Sequence, residues 1–205
     1  MKAAVIANGN KCAFDPSQYG RIICADGALA WALQQGLPVD TVVGDMDSVD
    51  RTLLSRVPEQ VLLPHEKDET DTQRAIETAA EAADEIDLYG ALGGRLDHLL
   101  ANVSLLLRFF RRGVSLRLID ETGIAYAAAG RIEIDGKRGQ LISLFPADGP
   151  VRIISTSGLY YEVIQRELTA ERPYFISNIF TGSRAEIETD GEVLVVLPCE
   201  TEDIG

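Results

Sequence analysis

The sequence predicts an α/β unit followed by an all-β unit, and three observations carry that expectation. Over residues 1–119, short β-branched runs alternate with stretches whose apolar residues recur at helical spacing, the pattern of strand-helix-strand units around a mainly parallel sheet. From about Asp120 the texture changes to short alternating runs bounded by Gly, Pro and Asp, which suits a small β-sandwich or barrel. Several strands of the first half end in Gly and Asp, where an open α/β sheet binds its ligands. The expected organisation is a Rossmann-like three-layer domain over residues 1–120 and a β-sandwich over 121–205.

Composition narrows the function classes. With 205 residues, 46% hydrophobic and 25% charged, the chain reads as an ordinary globular protein able to bury a sizeable core. No run approaches the roughly 20 apolar residues that cross a bilayer, and the N-terminal run stops too early for a signal peptide. The net charge of −13 repels nucleic acid and anionic membrane, so an anionic substrate would need local help from cations. Cys12, Cys24 and Cys199 are odd in number and lack metal-ligand spacing, which points to reduced thiols and a cytoplasmic protein.

In the first half the expected strands are residues 3–7, 21–25, 41–43, 60–63, 86–89 and 115–119. The second runs into Asp26-Gly27-Ala28 and a helix that stops at Gly36, with Asp26 placed either to cap that helix or to serve as a ligand. The third gives Val42-Val43-Gly44-Asp45-Met46-Asp47-Ser48. In an extended segment Asp45 and Asp47 point the same way while Met46 turns back, and two such carboxylates suit Mg²⁺, a hard cation that keeps water and phosphate oxygens in its shell. A solvated turn, with Ser48 capping the helix that follows, is the other account of the same residues.

After the fourth strand, Thr70 and Gln73 fit a capping box. The helix behind it buries Ala75, Ile76, Ala79, Ala80 and Ala83, and Asp71 falls in its first turn, where the dipole favours an anion. His65 and Lys67 read equally as a solvated charge run. The fifth strand ends in Gly90-Ala91-Leu92-Gly93-Gly94-Arg95-Leu96-Asp97-His98, before a helix with Leu99, Leu100, Val103, Leu106, Leu107 and Phe110 on one side. Glycines let backbone N–H groups approach a phosphate, and Arg95 offers it a guanidinium fork. In the second half, strands are expected at 125–128, 131–134, 140–145, 151–155, 160–163, 175–178, 184–188 and 192–197, the last two joined by a hairpin at Thr189-Asp190-Gly191.

Four stretches in this order resemble the thiamine pyrophosphokinase family: Ala25-Asp26-Gly27-Ala28, Gly44-Asp45-Met46-Asp47-Ser48, Lys67-Asp68-Glu69-Thr70-Asp71 and Gly93-Gly94-Arg95-Leu96-Asp97-His98. Two more, Thr156-Ser157-Gly158-Leu159-Tyr160-Tyr161 and Ser177-Asn178, are similar to segments that line that family's thiamine pocket. The resemblance implies transfer of the pyrophosphoryl group of ATP to thiamine, a homodimer with active sites between subunits, and Asp45, Asp47 and Asp71 as Mg²⁺ ligands. It also implies Asp26, Gly27, Lys67, Thr70, Gly93, Gly94, Arg95 and His98 at the nucleotide, and Tyr161, Ser177 and Asn178 at thiamine. Asp71, Arg95 and Asp97 are the implied catalytic residues, with Asp97 or Asp71 the candidate to take the hydroxyl proton. Tyr161 stands where the family commonly has tryptophan, and the Asp26-Gly27-Ala28 turn has one glycine where two are frequent. A metal-dependent nucleotidyl or glycosyl transferase and a non-catalytic nucleotide or thiamine sensor are the alternatives that the residues leave open.

Overall fold

The computed structural model describes residues 1–47, 49–66, 68–93 and 95–199, so Ser48, Lys67 and Gly94 lie outside the described residues. The chain divides into two compact units between Asp120 and Glu121. Among the described residues no helix is long and apolar enough to cross a membrane.

The first unit contains strands β1 (Lys2–Ile6), β2 (Arg21–Ala25), β3 (Thr41–Gly44), β4 (Glu59–Leu62), β5 (Glu85–Tyr89) and β6 (Ser115–Asp120). All its strand pairs are parallel, in the spatial order β6-β5-β1-β2-β3-β4. The connecting helices are α1 (Ala28–Gln34), α2 (Arg51–Leu54), α3 (Asp71–Ala80) and α4 (Leu96–Arg111). Alternation along the strands gives each face its own apolar set, as a parallel sheet covered on both sides requires. Ala4, Ile6, Ile22, Cys24 and Val42 pack with Ala28, Leu29 and Ala32 of α1 on one face. On the other, α3 packs across β1, β2, β3 and β5, and α4 across β6.

The order of the strands positions the site. From β1 the chain steps outward through β2, β3 and β4, then returns to the other side of β1 with β5. The strand order thus reverses between β1 and β5, and the carboxyl edge at such a reversal is the place where doubly wound sheets bind ligands.

In α4 the buried stripe is Asn102, Leu105, Leu106 and Phe109, whereas Leu100 is exposed. The helix is thus rotated from the expected apolar side, because Asn102 turns inward to satisfy a loop carbonyl. Helix α2 is capped by Asp50, whose carboxylate accepts from the Thr52 N–H.

The second unit is a β-sandwich built on two long strands, β7 (Gly123–Asp135) and β12 (Arg184–Pro198), paired antiparallel over most of their length. The first part of β12 also pairs with β9 (Val151–Ser157), which carries β10 (Ile164–Leu168). Its last part pairs with β8 (Leu141–Pro146), which carries the two-residue β11 (Asn178–Ile179). Ile132, Ile142, Leu144, Ile153, Phe180, Ile187 and Val195 fill the core.

Two expectations fail here for a common reason. Residues 184–188 and 192–197 are one strand, and Thr189-Asp190-Gly191 is a bulge in it, because both flanks find the same partner, β7, and never face each other. Opposite that bulge β7 also runs unbroken through Gly130, which takes the left-handed conformation there (φ +73°). Residues 160–163 form no strand, and of 175–178 only Asn178 enters one.

Candidate functional site

In the first unit the carboxyl edge of the sheet carries a cavity of about 340 Å³, lined by Ala7, Asn8 and Gly9 after β1, Asp26 and Gly27 after β2, and Gly90, Ala91 and Gly93 after β5. Helices contribute Asp71 and Thr72 from α3, and His98 and Asn102 from α4, with Arg95 at the N-cap of α4.

Three carboxylates converge at this edge. One oxygen each of Asp26, Asp45 and Asp71 lie within 4.8 Å of one another. They come from the ends of β2 and β3 and the first turn of α3, so only the assembled sheet brings them together. Gly44 permits the approach: a Cβ there would sit 2.8 Å from that of Asp26. Oδ1 of Asp26 and Oδ1 of Asp71 are shut off from solvent. Gathering partly desolvated carboxylates raises their free energy unless a cation lies among them, and an all-oxygen donor set fits Mg²⁺.

Asp45 belongs to a second group with Asp47 and His65, also within 4.8 Å of one another. His65 Nε2 stands 3.9 Å from Asp47 Oδ2, and both side chains are largely exposed. The two acids reach the same region by a turn and not by extended alternation: Met46 takes a left-handed φ of +61° and the Asp47 N–H donates to Asp45 Oδ1 at 3.3 Å. Asp26 is therefore the acid that shares the inner cluster with Asp45 and Asp71, while Asp47 lies outward with His65. The capping role weighed for Asp26 falls to Gly27, with no side-chain bond to the helix. Thr70 does cap α3, its hydroxyl accepting from the Gln73 N–H at 3.1 Å.

The glycine loop is held by backbone. Gly9 N–H donates to Gly90 O at 2.7 Å and Asn10 N–H to Leu92 O at 2.8 Å. A Cβ on Gly90 would lie 2.3 Å from the Ala7 carbonyl oxygen, so this contact requires glycine. Arg95 forms a two-bond fork with Asp97, at 3.1 Å from Nε and 2.6 Å from a terminal nitrogen. That pairing holds the Asp97 carboxyl below the usual carboxylate range. Arg95 lines the cavity, and its guanidinium is gripped by Asp97. Asn8, Thr72 and Asn102 line the cavity without having been singled out in the sequence. The spacing of His98 and Asn102, four residues apart on an otherwise apolar helix side, was the available signal for the last.

In the second unit, Tyr160, Tyr161, Arg166, Tyr174, Phe175 and Asn178 line a larger cavity of about 550 Å³, together with Glu162 and Glu167. Tyr161 projects into it 61% exposed, with its ring edge-on to Tyr160 at 4.9 Å. Asn178 is buried and brackets the Tyr161 backbone: its Oδ1 accepts from the Tyr161 N–H at 3.0 Å and its Nδ2 donates to the Tyr161 carbonyl at 2.8 Å. Ser177 adopts φ +56° and its N–H donates to Ser143 Oγ, which places it beside the cavity and not on its lining. Aromatic faces with nearby acids suit a cationic ring.

Both units match domains of known proteins. Residues 17–118 match the thiamin pyrophosphokinase catalytic domain and residues 131–194 the thiamin pyrophosphokinase vitamin B1 binding domain. The thiamine pyrophosphokinase of Bacillus subtilis is 28% identical over 168 residues, covering 78% of this chain and 78% of that protein. The crystal structure of a thiamin pyrophosphokinase family protein from Enterococcus faecalis superimposes with a TM-score of 0.87 at 25% identity, covering 98% of this chain and all of that one. Thiamin pyrophosphokinase from Candida albicans shares the fold at 15% identity, with a TM-score of 0.82 over 97% of this chain and 90% of that one. With matches to both domains that together span most of its length, the chain belongs to the thiamin pyrophosphokinase family.

Proposed function

We propose that the cavity of the first unit holds Mg²⁺ and ATP, that the aromatic cavity of the second binds thiamine, and that the chain carries out its family's reaction, giving thiamine diphosphate and AMP. The observation that carries this reading is the meeting of Asp26, Asp45 and Asp71 within 4.8 Å beside a glycine loop and Arg95. Attack on phosphorus needs positioning and charge neutralisation more than covalent help.

When bound, Mg²⁺ would be held by Asp26, Asp45 and Asp71, with Asp47 at the outer side, and would neutralise the phosphate oxygens. Backbone N–H groups of the glycine loop and the positive end of α4 face the same space and favour an anion. Arg95 exchanges one of its bonds to Asp97 for a phosphate oxygen, which lets an acidic protein retain a polyanion. Asp71 sits in the cavity and is the better placed of the two candidate bases. Asp97, held ionised by Arg95, is a poorer acceptor of the hydroxyl proton. Tyr161 and Tyr160 offer ring faces to the cationic thiazolium or the pyrimidine, while Asn178 fixes the turn that presents them. The proposed assembly is a homodimer with active sites between subunits, acting in the cytoplasm.

The test follows the phosphorus. With ATP labelled at the β-phosphorus, the label should pass to thiamine diphosphate, with one AMP formed per thiamine consumed. Thiamine monophosphate with ADP would overturn the pyrophosphokinase reading, and labelled free pyrophosphate would point to nucleotidyl transfer.

A further inference from the structure

Among the described residues a single cation, Arg166, lines the aromatic cavity of the second unit, and it is held by a ring and not by an acid. Elsewhere in the chain Arg95, Arg117, Arg131 and Arg184 each bond a carboxylate. Arg166 instead lies over the Tyr174 ring, with Cζ 4.0 Å from the centroid. Glu162 and Glu167 line the same cavity, yet among the described residues no carboxylate stands within ion-pair distance of Arg166. An aromatic face attracts the charge of a guanidinium without using up its five N–H donors.

The fold builds this stack. Arg166 belongs to β10, where it pairs with Ile153 of β9. The chain then turns back, with the Arg172 N–H donating to the Thr169 carbonyl at 3.1 Å. Phe175, 3% exposed, anchors the return, its carbonyl accepting from the Leu144 N–H at 2.7 Å. Tyr174 is the residue before that anchor and is thereby laid over β10. The Arg172 and Arg166 guanidiniums both stand near its hydroxyl and hold its pKa below the usual tyrosine value. A cavity that receives only thiamine gains nothing from a cation, since the thiazolium is itself positively charged and like charges repel. A ligand with an anionic end accounts for it. Thiamine's phosphate esters keep the rings and replace the hydroxyl by a phosphate chain, whose oxygens suit a guanidinium fork.

We propose that Arg166, carried on the Tyr174 ring, binds the phosphate chain of thiamine's esters, so that the second unit recognises the product of the reaction as well as its substrate. This rests on the reading of the cavity as the thiamine site. Arg166 is exposed, and for a solvent-screened pair of opposite charges the upper end of the expected gain is about 5-fold in affinity. Retention of the phosphate chain makes thiamine diphosphate a competitor of thiamine for the same rings.

Isothermal titration calorimetry of the full chain, without ATP or Mg²⁺, gives the dissociation constants of thiamine, thiamine monophosphate and thiamine diphosphate. Arg166→Gln should weaken at least one ester about 5-fold while binding thiamine no more weakly than the wild type does. Arg166→Lys, which keeps the charge but not the fork, should restore part of the loss. The ester affected shows which phosphate the guanidinium reaches. In AMP-release assays thiamine diphosphate should inhibit competitively against thiamine, and its inhibition constant should rise by the same factor in Arg166→Gln. Equal changes for thiamine and both esters, no change for any of the three, or binding of thiamine but of neither ester by the wild type would overturn this inference alone. Failure of the wild type to bind thiamine would overturn the reading of the cavity, and this inference with it.

Discussion

Asp26→Asn separates a cation site from a structural acid cluster, because the two accounts give opposite signs for stability. Asp26, Asp45 and Asp71 present oxygens within 4.8 Å of one another. At that separation two unit negative charges repel by about 0.9 kcal/mol at a dielectric constant of about 80, and by about 3.5 kcal/mol at about 20. Asp26 takes part in two such pairs, so relief of their repulsion alone contributes about 2 kcal/mol to the stability of the metal-free protein. For a chain of this size that is a rise of roughly 4–8 °C in Tm. The backbone gives no reason for the variant to fail, since Asp26 has φ +34° and asparagine visits the left-handed region as readily as aspartate. With Mg²⁺ the order reverses: the wild type gains stability as metal is added, and Asp26→Asn gains less and loses turnover. Differential scanning calorimetry with and without Mg²⁺, beside an AMP-release assay, reads all of these quantities. A metal-free Tm that falls, with the Mg²⁺ response intact, would refute the reasoning.

Four other outcomes follow from the geometry. Tyr161→Ala should raise the KM for thiamine several-fold and leave the KM for ATP unchanged, since a lost aromatic contact costs about 0.5–1.5 kcal/mol. Asn178→Ala should do the same through the backbone it brackets and also cost about 1–3 kcal/mol in thermal melts; a stability loss with an unaltered thiamine KM would show that the bracket does not serve the pocket. Gly90→Ala and Gly36→Ala both place alanine at a left-handed φ, near +66° and +71°, but only the first drives a Cβ into backbone, so denaturant melts should show Gly90→Ala as clearly the more destabilising. Cys199 is exposed, whereas Cys12 and Cys24 are buried and burial pushes the Cys24 thiol up to about 12, so mass spectrometry after brief alkylation should find one modified thiol in the native protein and three after unfolding.

The acids at strand ends were legible because chemistry and local pattern coincide there: Gly before Asp, a β-branched run before that, and a capped helix behind Asp71. What the sequence could not give was which acids meet. Asp45 and Asp47 are neighbours in the chain, yet the inner cluster takes Asp26 from another strand, through a gap that exists only because Gly44 has no side chain. Asn102 was hidden by its surroundings, a polar residue on a helix side that periodicity assigns to packing. The Asp-Gly pair at 190–191 carried a true turn signal, but pairing is a property of the partner strand, and β7 claims both flanks.

That shared pairing has a consequence for how the second unit opens. Since β7 and β12 run through both halves of the sandwich, neither half can lose its ladder without exposing the core of the other. Their amides should exchange together, at the free energy of unfolding the whole unit. The wall of the aromatic cavity hangs on lesser attachments: the two-residue β11, the isolated bridge between Leu159 and Phe180, and the Asn178 bracket. Amides of residues 159–164 and 174–179 should therefore exchange through smaller, independent openings, so that a ligand can be admitted by fraying at the edge while the slow-exchanging strands stay closed.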